Sequence, residues 1–550
     1  MLDAALGFNS SDMGSKLRLF LLCALAVCLP AGPASALPRF APGPYTVTEL
    51  KPLKGSVAFA FDVNLAGQAT GVMTMETAGS TFYRGFFYDP RTGLVDIGSL
   101  GGANTFAERI NDHGAITGSS EIGTANKVHA FVYTPGVGMR DLGAGPAQQS
   151  FGNDIDESGN VVGSLFPGDH TFRWTSAGGI QDLGPGSMVA FDFTGRAYGY
   201  KLGDTGAVPG MWSPPFTTFT PLGPLPDPLL RNGYAYGGNI FGRATGELTG
   251  GGVETAFYWD GHTYAKLSPS GFSFSSGEAV NDAGNIVIKA FNEGEDDVPF
   301  LYRLFNSDPV NGNDLNSSAS PFSKLLEFTS IDDVGHISGA GRVGNEVHGF
   351  VLTPSFSTEL DTVGLILEGD VPARNPFFKY VETMRRLGLA AGVNPTACFE
   401  FRQLRQSLSV GQGVPFTEPQ RVAAGDALAA ILEQNKCASG LPTIPVTVPH
   451  IFSRTKEREQ IAIRILRGAP LTITTQFPSG SMDVLSIREG GRRSLSGSSA
   501  TGKLKITKTR TRASVRVKVS KLKRGGTLRF VVVAKKLPGG KPVPVTTKIR

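Results

Sequence analysis

The sequence predicts a mainly β protein: a seven-bladed β-propeller, then a small helical module, then a C-terminal β-sandwich-like domain. Three observations predict it. A turn phrase recurs seven times at blade-sized spacing. The composition, with 71 Gly, 36 Pro and 18% charged residues, suits many short strands joined by tight turns. The period then ends near Leu360, where helical and afterwards alternating patterns follow. At 550 residues the chain exceeds what one ordinary core organises, so several domains are expected.

Residues 1–36 read as an export signal. Lys16 and Arg18 precede an apolar run from Leu19 to Leu29, and Ala34-Ser35-Ala36 offers small residues for cleavage before Leu37. Translation could begin at Met1 or Met13. The run ends at Pro30 and Gly32 and is shorter than the roughly 20 apolar residues a permanent span needs. No transmembrane span is therefore expected after signal removal, and the protein should be secreted or at the cell surface.

The repeated phrase is an apolar or small residue, usually Asn or Asp, two turn residues, Gly, any residue, a small apolar residue, any residue, Gly. The copies begin Val63-Asn64, Ile110-Asn111, Ile155-Asp156, Phe191-Asp192, a degenerate Tyr234-Ala235, Val280-Asn281 and Ile331-Asp332. Their first glycines fall at 67, 114, 159, 195, 238, 284 and 335, a period of about 45 residues. An Asn or Asp side chain bonds backbone two residues on, and Gly accepts the positive φ of a tight turn, so the phrase is hairpin chemistry. Each unit continues with an apolar strand such as His129 to Tyr133, a Pro- and Gly-rich turn, and a strand such as Met139 to Gly143. About four short strands with period-two alternation form one small sheet that cannot bury both faces alone. Seven such sheets closing radially make a propeller over residues 45–358. Ring closure needs a terminal strand, for which Tyr45–Leu50 and Ser357 to Leu360 both qualify.

These units carry His129-Ala130-Phe131, the Asp-Leu-Gly endings Asp141 to Gly143 and Asp182 to Gly184, Leu100-Gly101-Gly102 and Ile110-Asn111-Asp112-His113-Gly114. In this combination the region from Tyr45 to Phe356 resembles the bacterial extracellular HAF-repeat family. The fourth to sixth repeats drift from the pattern: Met211-Trp212 replaces Ala-Phe, and Ile288 replaces the last Gly. The resemblance implies export and a repeat fold, and it assigns no activity.

Residues 365–440 read as a small α-helical module. Asn375-Pro376 caps one helix ending at Gly388, a second runs from near Ala397 to Leu408, and a third from Pro419 to Lys436 after Thr417 as cap. Cys23 and Cys28 fall in the signal, which leaves Cys398 and Cys437 as an expected disulfide in an exported chain. Residues 445–550 return to alternation in Gln460 to Leu466, Leu504 to Ile506, Val515 to Val519 and Leu528 to Val532. Between Ile451 and Arg550 stand 24 Lys and Arg against 4 Asp and Glu. This segment thus carries about +20 of a net +5, and the remainder about −15. Such a domain suits attachment to an anionic envelope or surface polysaccharide. It is equally the pattern of a solvated face that protects sheet edges. Few aromatics interleave with the basic residues, so specific nucleic-acid recognition is not expected.

No catalytic, cofactor or metal constellation emerges from the sequence. Gly339 to Gly344 spells a dinucleotide fingerprint but is followed by a strand pattern rather than a helix. Asp154 to Gly159 resembles the start of a calcium loop, yet Leu165 stands where the closing acid belongs. His129, His170 and His348 share one repeat position, and His113 and His336 another. Such positions more often bond a neighbouring blade than converge on a channel. The expected function is binding or scaffolding, with enzymatic activity unassigned. The alternative is a glycosidase or lyase using carboxylates of different blades, among Asp62, Asp112, Asp156, Asp192, Asp282 and Asp332, at about 5 to 9 Å across the channel.

Overall fold

The computed structural model describes residues 45–77, 79–123, 127–303 and 309–355, short stretches between 363 and 409, residues 416–435, and the strands within 446–549. The chain divides into two compact units, Met1–Pro354 and Ser355–Arg550. The signal segment, the helix expected at 375–388 and both Cys398 and Cys437 lie outside the described residues.

The first unit is a seven-bladed propeller of antiparallel four-stranded sheets. Six blades are consecutive in sequence, starting with Ala58–Val63, Thr105–Ile110, Gln149–Ile155, Ser187–Phe191, Asn232–Gly238 and Phe274–Val280. The seventh takes Lys324–Ile331, Ile337–Val343 and Glu346–Pro354 from the end of the ring, and its fourth strand, Tyr45–Leu50, from the beginning. Tyr45 lies opposite Pro354 and Leu50 opposite Gly349, so the N-terminal strand closes the ring.

The first strand of each blade ends in the phrase, which turns back as read from the sequence. Asn64 Oδ1 accepts the amides of Ala66 and Gln68, and Asp192 Oδ1 those of Thr194 and Arg196. The fifth copy sits four residues later than the degenerate match suggested. Asn239 is the turn residue, accepting from Phe241 and Arg243, and Gly242 has the positive φ of +77° while Gly246 ends the phrase. The final glycine lies under the neighbouring backbone: a Cβ on Gly71 or Gly118 would come within 2.0 Å of the carbonyl oxygen of Phe59 or Phe106.

Opposite that glycine in the third strand stands the phenylalanine of the His-Ala-Phe pattern. Gly118 pairs with Phe131, Gly163 with Phe172 and Gly339 with Phe350, all three rings being fully buried. In the fourth blade the phenylalanine position is Gly210, one residue before Met211-Trp212. The Phe219 ring from the fourth strand occupies the vacated space, 2.3 Å from where a Cβ on Gly210 would be. Each buried phenylalanine contributes about 2–3 kcal/mol by area removed from water.

In the second unit, the helix Glu418–Gln434 starts at Thr417, the cap read from the sequence, with Pro in its first turn, and Gln420 completes a capping box. Its buried face is Ala424, Ala427, Leu428, Ile431 and Leu432. Phe401, Leu404 and Leu408 are helical and buried, and Arg421 donates to the Leu408 carbonyl at 3.0 Å. This is one complete helix among the described residues, where three were expected.

Residues 446–549 form a five-stranded and a three-stranded antiparallel sheet. In the larger, register aligns Thr509, Arg516, Thr474, Lys548 and Thr447 in one row and Thr507, Lys518 and Thr472 in the next.

Candidate binding site in the propeller channel

The first strand of all seven blades carries a β-bulge, at Phe61, Glu108, Asn153, Val189, Tyr236, Glu278 and Thr329. A bulge bends its strand and re-aims the residues beside it. The residues that follow, from Asp62, Arg109 and Asp154 in the first three blades to Ala190, Gly237, Ala279 and Ser330 in the others, line a central cavity of about 370 Å³. At this position one arc is charged and the other small, while the bulge residues Tyr236 and Glu278 also line the second arc.

Asp62 Oδ2 accepts the Ile110 amide of the next blade at 2.9 Å, and Asp154 Oδ2 accepts that of Phe191 at 2.6 Å. Arg109 stands on the blade between them. Burial works against its charge, but Asp62, Asp154, Glu108 and Glu278 outweigh burial and hold the guanidinium above its usual range. Burial pushes the Asp154 carboxyl up to about 7 despite the nearby Arg109.

A second tier lies at the phrases. Asn111 accepts the amides of His113 and Ala115 through Oδ1 and donates through Nδ2 to the Asp156 carbonyl of the next blade at 2.9 Å. Asn64 reaches Asn111, Asn239 reaches Asn281, and Asn281 reaches Asp332 in the same way. An Asp at this position has no amide to give. In the fourth blade, Arg196 pairs with Asp192 at 2.7 Å and donates to the Asn239 carbonyl at 2.8 Å, replacing the missing donor. In the seventh, His336 pairs with Asp332 and lies against Gly67 of the first blade.

The residue after the Asn or Asp forms a third tier at the channel mouth. Asp112 Oδ1 accepts the Leu65 amide, Glu157 Oε1 that of Asp112, Asp282 Oδ1 that of Ile240 and Asp333 Oδ1 that of Asp282. Burial, then the neighbouring carboxylate, raises Asp112 and Asp282 well above the ordinary range. Ten carboxyl-bearing residues and one arginine line the cavity. Sequence reasoning named Asp112 and Asp282 as candidate channel carboxylates but missed this asymmetry, because their shared turn position says nothing of which blades stand beside each other.

The six carboxylates considered for glycoside chemistry all accept backbone amides, Asp156 from Ser158 and Asn160 and Asp332 from Val334 and His336. The acids of the calcium-like stretch also diverge: Asp154 bonds Phe191, Asp156 its own turn, and Glu157 Asp112 and His113. Among the described residues no three-residue His, Cys, Asp or Glu group is arranged to hold a metal ion.

His129, His170 and His348 join the outer strands of their blades, whereas His113 and His336 serve the phrase turns. His129 Nδ1 meets Asp141 at 2.9 Å and His170 meets Asp182 at 2.8 Å, joining third and fourth strands of one blade. His348 Nδ1 meets Glu49 at 2.6 Å, and Glu49 takes the place opposite Phe350 that Asp141 takes opposite Phe131. The His-Ala-Phe and Asp-Leu-Gly patterns are therefore two halves of one cross-strand unit. Gly339–Gly344 is strand and hairpin, as expected, with Gly344 at φ +60°.

No family model and no curated protein matches the chain. Among solved structures it is similar to virginiamycin B lyase from Staphylococcus aureus, at 11% identity and TM-score 0.37, covering 56% of this chain and 99% of that one. Oligogalacturonate lyase from Vibrio parahaemolyticus matches at 8% identity and TM-score 0.36, covering 56% and 93%. TolB from Acinetobacter baumannii matches at 11% and 0.29, covering 52% and 82%. Likenesses at this level concern the fold alone. Among the described residues no helix is long and apolar enough to cross a membrane.

Proposed function

We propose that the protein is a secreted or cell-surface binding protein whose propeller presents a ligand surface and whose basic C-terminal region attaches it to an anionic envelope polymer. The observation that carries the reading is the charge partition: 24 basic against 4 acidic residues between Ile451 and Arg550, and an acid-lined channel in the propeller. Basic positions alternate with apolar ones along the strand Ser514–Ser520, a pattern that suits contact with a repeating anionic polymer. The Lys16 to Ala36 segment and the HAF-like repeats support export. Engagement of all six carboxylates considered for glycoside chemistry by backbone amides weighs toward a structural and binding role over glycosidase or lyase chemistry.

The test compares protein beginning at Leu37 with the same protein lacking residues 445–550, in cosedimentation with isolated envelopes at low and high salt. Salt-sensitive attachment that disappears with the truncation is expected. Equal binding by both forms, or by neither, overturns the attachment role.

A further inference from the structure

In a ring of seven blades the second lies across the channel from the fifth and sixth. Arg109, just past the bulge of the second blade, therefore faces Tyr236 and Glu278, the bulge residues of those two, and all three line the cavity. The residues after the bulges on that side are Ala190, Gly237, Ala279 and Ser330, which are small and leave the space open. Arg109 is the only cation among the lining residues, and most of its donors are unspent. Its Nη1 donates to the Glu108 carbonyl at 3.1 Å. Asp62 and Asp154 offset its charge from either side, yet they accept the Ile110 and Phe191 amides, and among the described residues no carboxylate oxygen lies within ion-pairing distance of the guanidinium. A guanidinium has five N–H groups and no acceptor, so the remaining ones call for oxygens from whatever fills the cavity.

The surroundings of that donor set the class of ligand. An added cation would meet Arg109, and an added anion would meet Glu278 and a charge that Asp62 and Asp154 already offset. A neutral molecule rich in hydroxyls satisfies both sides, since its oxygens accept from Arg109 and its O–H groups donate to the carboxyl opposite. The aromatic residues favour the same class. Tyr236 on the wall continues a row through Tyr234, 6.3 Å away and nearly parallel, to Tyr200, and Phe193 stands 37% exposed at the rim. Flat rings cover the C–H faces of a sugar while a few polar groups take its hydroxyls.

We infer that the propeller channel binds a neutral mono- or disaccharide unit, held between Arg109 on one side and Tyr236 and Glu278 on the other, with Phe193 at the entrance. A cavity of about 370 Å³ is in the range of small-ligand sites. The inference names a ligand for the propeller and so rests on its being the ligand-presenting part. Envelope attachment through the basic region is read by cosedimentation, so either can fail while the other stands.

The experiment presents the full chain to an array of neutral, sulfated and uronate-containing glycans in about 0.5 M salt, which screens the basic region. Calorimetric titration with the best-bound neutral disaccharide follows. Saturable one-to-one binding of at least one neutral glycan is expected. Arg109→Lys keeps the charge that Asp62 and Asp154 offset but loses the planar fork, and should weaken binding at least about tenfold. Phe193→Ala, at an exposed position that folding tolerates, should weaken it about threefold or more and provides the readout if Arg109→Lys fails to fold. Asp296→Asn, on an exposed carboxylate paired with Lys324 and Arg342, should change nothing. The inference is overturned if no neutral glycan binds at millimolar concentration, if only sulfated or uronate glycans are retained, if Asp296→Asn weakens binding as much as Arg109→Lys, or if either channel variant folds and binds as tightly as the unaltered protein.

Discussion

At the scale of single residues, one side chain does two jobs in each phrase that carries Asn, and only one of them is visible locally. The Oδ1 of Asn111 closes its own turn, which its neighbours His113 and Gly114 announce in the sequence. Its Nδ2 holds the Asp156 carbonyl 45 residues away, which nothing local announces. Replacing Asn111 with Asp keeps the turn acceptor and removes only the inter-blade donor. The expected cost is about 1–3 kcal/mol, with a carboxylate left against a buried carbonyl, measured as a lowered Tm. Combining it with Ala115→Arg, after the Asp192 and Arg196 arrangement, should recover part of the loss. The buried carboxyls give a second expectation. Burial raises Asp154 to about 7, Glu327 to about 7 and Glu247, with help from Glu254 and Glu278, to about 8. Folded values above the unfolded ones mean that the folded state holds more protons between about pH 4 and 8. Stability is therefore expected to fall as pH rises from 5 to 8, and Asp154→Asn should flatten the lower part of that slope in thermal melts.

At the scale of elements, the ring depends on a strand that lies some 300 residues from its partner in the chain. Tyr45–Leu50 pairs along its length with Glu346–Pro354, burying Tyr45 and Leu50, and Glu49 bridges to His348. The sequence left two candidates for this role because any short alternating segment can add to an edge. Register decides between them, since it places Glu49-Leu50 where the second and third blades have Asp-Leu. The four-strand blade was legible because turn glycines and period-two alternation are local properties. The fifth phrase was misaligned because Gly237 and Gly238 imitate its turn, and the fourth blade because Phe219 supplies its ring from a different strand. Removing residues 45–50 should cost on the order of 5 kcal/mol from lost burial and pairing. It also exposes the Glu346–Pro354 edge, so faster aggregation on heating is expected by light scattering. Glu49→Ala should lower the Tm much less, because the backbone ladder and both buried side chains remain.

At the scale of the whole molecule, charge is organised by region and, in the propeller, by blade. The regional division can be counted from the sequence. The arrangement around the channel cannot, because it depends on the circular order of blades and on the bulges that aim Asp62, Arg109 and Asp154 inward together. In the C-terminal region the alternation was legible, whereas the rows were not: strand order there runs 446–452, 543–549, 471–476, 514–520, 505–510, which no sequence proximity implies. That order aligns Arg516 with Thr509 and Thr474 and, through Thr474, with Lys548, in one register row across neighbouring strands. If these rows rather than total charge make the envelope contact, position should matter at constant net charge. Arg516→Glu with Lys518→Glu in the full chain should then reduce envelope cosedimentation at low salt at least about tenfold and flatten its salt dependence, because fewer counterions are displaced. Reversing two basic residues outside these rows, Arg492→Glu with Arg493→Glu, changes the net charge equally and should have the smaller effect. Equal losses in the two variants would mean that the region acts as a diffuse cation, and that the sheet only carries the charge without arranging it.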